Sequence, residues 1–226
     1  MPNEAIMPYK KYTRIRFDLE IIAGMIENNS TVLDLGCGPG DLLNKLIHEK
    51  KCVGHGVEIY EEYILECVGK GVPVIYSDLD EGLGDYGDKS FDFIILSRTL
   101  QVVHRPHLIL NEMLRVGRVG IVSFPNFGYW RVRSQLFFLG RMPVTKDLPY
   151  QWFDTPNIHL LTIEDFKKLC RDNHIKILTQ ISLGDATRGG VLARCFPNLF
   201  AKQAIFKVQN MDEATASTHY SSTTAS

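Results

Sequence analysis

Short apolar runs alternate with amphipathic helical stretches from residue 31 to residue 124, and this alternation restricts the fold more than any other feature. Residues 31–35 and 91–97 are nearly continuous apolar runs, as expected for strands buried on both faces of a parallel sheet. Residues 41–50 instead carry Leu and Ile at helical spacing. The pattern predicts an α/β protein built from βαβ units. Predicted strands are 31–35, 51–59, 72–76, 91–97 and 118–124, and predicted helices are 41–50, 61–68 and 106–116.

The chain on either side of this alternation has a different character. Helical spacing over residues 14–27 predicts an N-terminal helical segment within residues 1–30, ahead of a main domain at 31–208. An aromatic-rich helix at 127–139 and a proline-containing, aromatic loop at 140–160 predict a lid or insertion at about 127–161. Thr162 and Asp165 indicate a capped helix over 162–172. Strands at 174–183 and 199–208 follow, and residues 209–226 are predicted to be a disordered tail.

Composition excludes several classes of protein. The 226 residues are 45% hydrophobic and 23% charged, with a formal net charge of −1, so no bulk charge attracts nucleic acid or an anionic membrane. No apolar run is long enough to cross a bilayer, and residues 1–16 lack the apolar core of a signal peptide. The five widely spaced cysteines include no CxxC pair. We therefore expect reduced thiols, no metal site and a cytoplasmic location.

The strand at 31–35 leads into a glycine turn, Gly36-Cys37-Gly38-Pro39-Gly40, and then into a helix. Glycine permits positive φ and a close approach of backbone to a ligand. Glu58 ends the next predicted strand, 22 residues after Gly36, where a carboxylate accepts hydrogen bonds from both hydroxyls of a ribose. Asp78 ends the third strand, where an acid beside Leu79 can bind an adenine edge. Together these signals predict a nucleoside site.

Three interpretations of this site remain open: an S-adenosylmethionine site, a nicotinamide dinucleotide site, or a tight turn without a ligand. A pyrophosphate prefers unobstructed amides at a helix N-terminus. Pro39 removes one amide, Asp41 adds negative charge, and no basic residue follows in the loop. These features favour S-adenosylmethionine over a dinucleotide.

The turn and its two acids resemble class I S-adenosylmethionine-dependent methyltransferases. Several longer strings, in order over about residues 14–183, resemble the MetW family: DLDEGL at 78–83, ILSRTLQ at 95–101, VSFPNFGYWR at 122–131, GRMPVTK at 140–146 and PYQWFDTPNIHL at 149–160. The resemblance implies a Rossmann-like class I methyltransferase fold, with a seven-stranded, mostly parallel sheet and helices on both faces. The cofactor implied is S-adenosylmethionine or S-adenosylhomocysteine, bound by Asp34, Gly36, Cys37, Gly38, Gly40, Glu58, Ile59, Asp78, Leu79 and Ser97.

The resemblance also implies a place in methionine biosynthesis. MetW proteins are associated with a homoserine O-acyltransferase, MetX, and the expected role is to support or activate that enzyme in a complex. Methyl transfer is not established for the family. The alternative is an S-adenosylmethionine-dependent methyltransferase acting on a small-molecule acceptor, with nucleic acid disfavoured because no accessory module is evident.

No catalytic constellation stands out in the sequence. His159, Asp154 and Tyr150 are the candidates, because they lie in or beside the predicted lid. His159 could act as a base or substrate contact, or it could hold the lid in place. Ser123-Phe124-Pro125-Asn126-Phe127 resembles the (D/N)PP(Y/F) motif of amino-group methylases only superficially, because the order differs. Arg16 could pair with a cofactor carboxylate or with solvent.

The small net charge hides an uneven distribution. Residues 58–92 hold ten acidic and two basic residues, whereas residues 115–146 hold six basic and no acidic residues. We expect these segments on opposite halves of the sheet. Either they are solvated faces, or the basic, aromatic segment 129–146 meets an acidic partner surface or an anionic acceptor.

Overall fold

The computed structural model describes residues 17–145, 147–184 and 191–211. Its helices are α1 (Phe17–Met25), α2 (Asp41–Lys50), α3 (Glu61–Gly69), α4 (Pro106–Val116), α5 (Trp130–Leu139), α6 (Ile163–Asp172), α7 (Val191–Cys195) and α8 (Pro197–Phe200). Its strands are β1 (Thr31–Leu35), β2 (Val53–Glu58), β3 (Val74–Tyr76), β4 (Phe91–Ser97), β5 (Gly117–Pro125), β6 (Ile175–Leu183) and β7 (Gln203–Asn210). A single 3₁₀ turn covers Leu79–Glu81.

The seven strands form one sheet in the order β3-β2-β1-β4-β5-β7-β6. β1 to β5 are parallel, and β7 is antiparallel to both β5 and β6. The predicted seven-stranded, mostly parallel sheet is therefore confirmed. The chain order reverses at β1, which pairs with β2 on one side and with β4 on the other. In open α/β sheets, ligands bind beyond the carboxyl ends of the strands at such a reversal.

Alternate residues of the central strands face two apolar layers. Ile94 and Leu96 of β4 pack in the layer that contains Met113 of α4 and Phe166 of α6. Phe93 and Ile95 pack in the opposite layer, whose helical residues include Ile22 of α1, Leu43 of α2 and Cys67 of α3. Helices thus cover both faces, and this two-sided burial explains why the strand sequences are continuously apolar.

The main differences from the predicted elements lie after β5. The helix predicted at 127–139 begins only at Trp130, because Asn126 holds residues 126–128 in a turn. The strand predicted from residue 199 begins at Gln203, since Pro197 starts the short helix α8 instead. β7 also continues to Asn210, which pairs with Ile175, so the predicted tail boundary at residue 209 is two residues too early.

Three predictions fall outside the described residues: the start of the N-terminal segment with Arg16, the middle of the loop before α7, and the tail from residue 212. Within the described ranges, no helix is long and apolar enough to cross a bilayer.

Candidate functional site

The glycine turn lies beyond the carboxyl end of β1, at the reversal of strand order. Gly36, Gly38 and Gly40 all have positive φ, at +73°, +54° and +74°. The amides of Gly36 and Cys37 both donate to the Val57 carbonyl of β2, at 2.8 and 3.1 Å. The end of β2 therefore anchors the start of the turn, and the left-handed conformations bring the backbone round into α2.

The three glycines have different surroundings. A Cβ atom on Gly36 would lie 2.7 Å from Thr99 Oγ1, and one on Gly40 would lie 2.7 Å from Cys67 Sγ. A Cβ on Gly38 would meet no atom within 4 Å. Gly36 and Gly40 are thus needed for packing, whereas Gly38 faces open space. The turn leaves room for a ligand at Gly38.

Glu58, at the end of β2, bridges the turn and the residues that follow β2. Its Oε2 accepts a hydrogen bond from the Gly38 amide at 2.7 Å, and its Oε1 accepts from the Ile59 and Tyr60 amides at 2.8 and 3.1 Å. Only 5% of the residue is exposed. A carboxylate has about four acceptor positions, so these amides leave about one for a ribose hydroxyl. A second hydroxyl would have to share or displace the Gly38 bond.

Exposed apolar side chains stand beside Glu58. Ile59 and Tyr60 are both more than two-fifths exposed at the mouth of the turn, in the position where a flat nucleoside would be covered. Burial of the hydroxyl and the nearby Glu58 charge raise the pKa of Tyr60. Tyr60 therefore stays a neutral hydroxyl at physiological pH.

The remaining residues predicted to bind the cofactor differ in their surroundings. Asp34, 2% exposed, lies inside the carboxyl end of β1, paired in register with Gly56 and Ile95. Ser97 ends β4, and its Oγ lies 3.2 Å from Ser123 Oγ of β5. Both residues thus lie at the strand ends that border the crevice.

Asp78 and Leu79 also have structural contacts. Asp78 Oδ1 accepts from the Asp80 amide at 2.9 Å and so caps the 3₁₀ turn. Leu79 is buried in the apolar layer of α4 and α6. Asp78, the acid expected near adenine, therefore stabilises the turn that follows β3. Only the acceptor positions of its carboxylate that the Asp80 amide does not use remain for a ligand.

Lys70 is a residue of this site that sequence reasoning missed. Its Nζ donates to the Pro39 carbonyl and lies 2.6 Å from Asp41 Oδ1. Lys70 thereby neutralises the Asp41 charge, which was one of the arguments against a pyrophosphate ligand. Another argument, the missing amide at Pro39, still holds. No local motif signals Lys70, because it follows α3, 29 residues after Asp41.

Two thiols lie behind the turn. Cys37 Sγ and Cys67 Sγ are 3.9 Å apart, and each is within hydrogen-bond range of the Gly38 carbonyl, at 3.6 and 3.3 Å. Burial raises the pKa of both thiols, and the Asp34 charge raises that of Cys37 further. Both are therefore protonated at physiological pH and pack as small apolar groups.

His159 is bound to the segment that follows β4. The amides of Ile158 and His159 both donate to the Gln101 carbonyl, at 3.0 and 3.1 Å, and His159 Nε2 lies 3.1 Å from the Val103 carbonyl. Since a carbonyl only accepts, this contact requires a proton on Nε2. The geometry favours the interpretation that His159 holds the lid in place.

The other two catalytic candidates lie apart from His159. Tyr150 lines a depression together with Phe127, Met142, Trp152 and Leu160, whereas Asp154 is exposed on the surface. Neither Asp154 nor His159 lines that depression. The three candidates are not gathered around one point.

Asn126 accounts for the string that superficially resembled a methylase motif. Its Nδ2 donates to the Asn198 and Ala201 carbonyls at 3.0 and 2.8 Å, and its Oδ1 accepts from the Gly128 and Ile163 amides at 2.9 and 3.3 Å. The side chain is 1% exposed. All four hydrogen-bonding positions are used within the fold, so Asn126 does not present an amide to an acceptor substrate.

Arg98 is a second residue that sequence reasoning missed. It follows β4 with φ +60°, and its Nε lies 3.2 Å from Asp18 Oδ2 of α1. Gln203 of β7 completes the cluster, because its Oε1 accepts from Arg98 Nη2 and its Nε2 donates to Asp18 Oδ2. The cluster fixes α1 against the strand end beside the glycine turn.

The charge asymmetry of the sequence is reduced by contacts across the fold. Arg115 pairs with Glu112 and Asp88, both at 2.7 Å, and Arg118 lies 3.7 Å from Asp92. The expectation that the acidic and basic segments lie on opposite halves is therefore wrong for the Arg115–Asp88 and Arg118–Asp92 pairs, which join the two segments. Among the described residues, no group of three or more His, Cys, Asp and Glu is placed to hold a metal ion.

Comparison with known families and proteins shows a family match over most of the chain. The model of the methionine biosynthesis protein MetW matches residues 16–208. The bifunctional methionine biosynthesis protein MetXA/MetW of Rhodopirellula baltica is 40% identical over 164 residues, which are 69% of this chain. The match spans 26% of that relative's length.

Solved structures share the fold at low sequence identity. A SAM-dependent methyltransferase from Archaeoglobus fulgidus superposes with a TM-score of 0.59 at 18% identity, covering 85% of this chain and 94% of its own. The [4+2]-cyclase SpnF superposes with a TM-score of 0.61 at 16% identity, covering 85% of this chain and 80% of its own. Proteins with different names thus share this fold, and the fold alone does not determine the reaction.

Proposed function

This chain belongs to the family of methionine biosynthesis protein MetW, and we propose that it binds S-adenosylmethionine and supports a homoserine O-acyltransferase, MetX, in a complex. The main support for S-adenosylmethionine binding, the cofactor half of this proposal, is the open space over Gly38 beside the Glu58 carboxylate. The main support for association with MetX, the partner half of this proposal, is the R. baltica relative, a single polypeptide that is named both MetXA and MetW.

The residues at the carboxyl ends of β1 and β2 fit a nucleoside joined to an amino acid. Gly38 presents backbone without a side chain, Glu58 offers an acceptor to a ribose hydroxyl, and Ile59 supplies apolar cover. Such a carboxylate–hydroxyl bond is charge-assisted and strong. When bound, S-adenosylmethionine supplies an electrophilic methyl group. The chain's own contribution is to bind and orient the ligand.

The fusion of the two names in one relative supports an association between this chain and a separate MetX protein. Joining two modules in one chain raises the effective concentration of each for the other, to the millimolar range with short linkers. The match to this chain leaves about three quarters of the relative for another module. We infer that this chain achieves by association what the fusion achieves covalently.

Calorimetric titration with S-adenosylmethionine, S-adenosylhomocysteine and NAD⁺ tests the cofactor half. We expect the first two to bind and NAD⁺ not to bind. Glu58→Gln should weaken binding about 10- to 100-fold, since a hydrogen bond to a charged group contributes about 1.5–3 kcal/mol. Glu62→Gln, on the exposed start of α3, is the matched control and should bind normally. Tight binding of NAD⁺ would establish the dinucleotide site instead.

Titrating purified MetX with this protein, with and without S-adenosylmethionine, tests the partner half. We expect the acyltransferase rate to change on addition of the protein. We also expect S-adenosylmethionine to shift the midpoint, and MetX then to change the affinity for S-adenosylmethionine by the same factor, because coupling between two binding events is reciprocal. An unchanged rate in both series would end this proposal.

A methyltransferase acting on a small acceptor is the second candidate. The depression under the lid, lined by Tyr150, Gln151, Asn157 and apolar side chains, offers polar groups to such a molecule. This candidate requires S-adenosylhomocysteine to accumulate when the protein and S-adenosylmethionine are incubated with a small-molecule extract. The partner role requires little turnover under the same conditions.

A further inference from the structure

One buried side chain in the segment after β4 has an acceptor that the fold leaves unsatisfied. Gln101 is 3% exposed, and its Nε2 donates to the Arg98 carbonyl at 2.7 Å. Because a carbonyl only accepts, this bond fixes the orientation of the side-chain amide. Among the residues that the structure describes, none donates to Gln101 Oε1. A buried acceptor without a donor is costly, so a ligand or a trapped water has to supply one.

The segment that carries Gln101 lies against the glycine turn. It leaves the carboxyl end of β4, which is the neighbour of β1 in the sheet. A Cβ on Gly36 would lie 2.7 Å from Thr99 Oγ1, so Thr99 packs directly on the turn. Gln101 follows two residues later, and its main-chain carbonyl accepts from the Ile158 and His159 amides of the lid at 3.0 and 3.1 Å. Gln101 therefore connects the border of the candidate ligand site to the lid.

The strand order assigns the parts of S-adenosylmethionine to different strand ends. The parallel strands β3, β2, β1 and β4 end side by side at one edge of the sheet. With the ribose at Glu58, as proposed above, and the adenine toward Asp78 after β3, the amino-acid part extends past the glycine turn toward the segment after β4. The ribose hydroxyls and the adenine amino group are then used on the other side. The ammonium group is the N–H donor that remains for Gln101.

The charges at the glycine turn favour a cation. Burial raises the pKa of the Cys37 thiol in the turn, and the Asp34 and Glu58 carboxylates raise it further, so the local potential is negative. Lys70 and Arg98, the cations that border the turn, are each paired with an aspartate of the fold. A positively charged group is therefore stabilised in the space beside the turn.

We propose that Gln101 Oε1 binds the ammonium group of the amino-acid part of S-adenosylmethionine. This inference rests on the proposed function for the identity of the ligand, and on the buried, unsatisfied acceptor for the residue. A hydrogen bond from an ammonium group is charge-assisted and stronger than one between neutral groups. Gln101 then determines specificity, because a nucleoside without the amino-acid part gains nothing from this contact.

The position of the acceptor also involves the lid. Gln101 Oε1 is enclosed, so a donor reaches it only when a neighbouring segment moves. The lid is attached to the carbonyl of the same residue through the Ile158 and His159 amides. The lid therefore opens to admit the ligand and closes again once Gln101 is held by the ammonium group.

Calorimetric titration of Gln101→Met with three ligands tests the inference. Methionine matches glutamine in length but offers no oxygen. S-adenosylmethionine and its decarboxylated form both carry the ammonium group, whereas 5′-methylthioadenosine lacks the amino-acid part. We expect Gln101→Met to weaken binding of the two ammonium ligands about 10- to 100-fold and to leave binding of 5′-methylthioadenosine unchanged.

The matched control is Gln180→Met on β6, at the far edge of the sheet. Gln180 is half-buried, and its Nε2 donates to Ser182 Oγ at 3.0 Å. The control variant also loses a side-chain amide that is hydrogen-bonded within the fold. It should bind all three ligands like the wild type.

Two further measurements separate ligand binding from a structural role of Gln101. Gln101→Glu keeps an acceptor oxygen and adds a negative charge, so it should bind S-adenosylmethionine at least as tightly as the wild type. Hydrogen exchange of the Ile158 and His159 amides should slow when S-adenosylmethionine is added to the wild type, because the ligand then fixes the residue that accepts their bonds. The same exchange should slow less in Gln101→Met.

Each outcome decides one question. Equal affinities of the wild type and Gln101→Met for S-adenosylmethionine would overturn the inference and assign Oε1 to a trapped water, while the proposed function would stand. Equal losses for all three ligands would also overturn it, since Gln101 would then only support the fold. A loss confined to S-adenosylmethionine would assign the contact to its carboxylate instead. If the wild type binds none of the ligands, the cofactor half of the proposed function fails, and this inference fails with it.

Discussion

Glu58 contacts both the glycine turn and the start of the segment after β2. Through the Gly38, Ile59 and Tyr60 amides, it holds together the two backbone segments that border the open space at Gly38. The conformation of the turn and the acceptor for a ribose therefore depend on the same carboxylate. Substitution of Glu58 should affect both the stability of the turn and ligand affinity.

The glycines of the turn should respond differently to alanine. Gly36→Ala combines a left-handed conformation, about 1–2 kcal/mol, with a clash against buried Thr99, about 1–3 kcal/mol. Gly38→Ala incurs only the conformational cost, because nothing lies within 4 Å. We expect Gly38→Ala to unfold at higher urea concentration than Gly36→Ala while losing S-adenosylmethionine affinity through its added methyl group. Equal losses of stability would contradict this account.

Thiol labelling should distinguish the five cysteines. Cys195 is exposed and the other four are buried. Burial raises the pKa of Cys170 to about 12 and also raises those of Cys37 and Cys67. At pH 8 the thiolate fraction of Cys170 is then about one in ten thousand. Iodoacetamide should modify native protein at Cys195 alone, and all five cysteines after unfolding in urea. Rapid labelling of the folded Cys195→Ser variant would contradict the burial of the other four cysteines.

At the scale of elements, the segment between β5 and α6 depends on one buried amide. Asn126 connects the end of β5 to the start of α6 and to the carbonyls of α8 and the residue after it. α6 itself begins with a reciprocal capping box between Thr162 and Asp165, as the sequence predicted. Both ends of the lid-containing insertion are thereby fixed.

Asn126→Asp should destabilise the protein by about 3 kcal/mol. The change removes the Nδ2 donor from two carbonyls and places an acidic group against them in a site that is 1% exposed. The control is Asn44→Asp, at a half-buried residue of α2, which should change the free energy of unfolding by no more than about 0.5 kcal/mol. Urea denaturation measures both variants. A stable Asn126→Asp protein would mean that the four contacts are not formed together.

At the scale of the whole molecule, the Asp18–Arg98–Gln203 cluster connects segments that lie up to 185 residues apart. α1 precedes the sheet, Arg98 follows β4, and Gln203 begins β7. The cluster lies where β4 and β7 meet the first helix, so α1 is a fixed part of the carboxyl edge of the sheet. Docking of α1 and the geometry of the ligand crevice should therefore change together.

Asp18→Ala should release α1 and cost about 3 kcal/mol, since removing one partner leaves Arg98 with a partly buried, uncompensated charge. Hydrogen exchange should accelerate in α1 and in the segment after β4, and S-adenosylmethionine affinity should fall. Glu20→Ala, which breaks the exposed pair with Lys45, is the control and should change stability by less than about 1 kcal/mol. Unchanged exchange in α1 would show that other contacts hold this helix.

Much of the fold was predictable because its signals are local. The bounds of α2, β1, β4 and α4 were predicted without error, since amphipathic spacing, glycine turns and a proline at the start of α4 act within a few residues. The Thr162 cap was predictable for the same reason. The end of the domain was less predictable, because Pro197 starts a helix in a stretch whose apolar residues also fit a strand.

The sequence by itself determined the strand–turn–helix alternation, the glycine turn, and the acids that end β2 and follow β3, because each of these is a pattern of neighbours. Only the tertiary structure decided that Lys70 neutralises Asp41, that Glu58 binds the Gly38 amide and that His159 is bound to the Val103 carbonyl. Those contacts join residues 20 to 56 positions apart. Packing of the whole sheet and its helices brings these residues together, and no local spacing in the sequence encodes that packing.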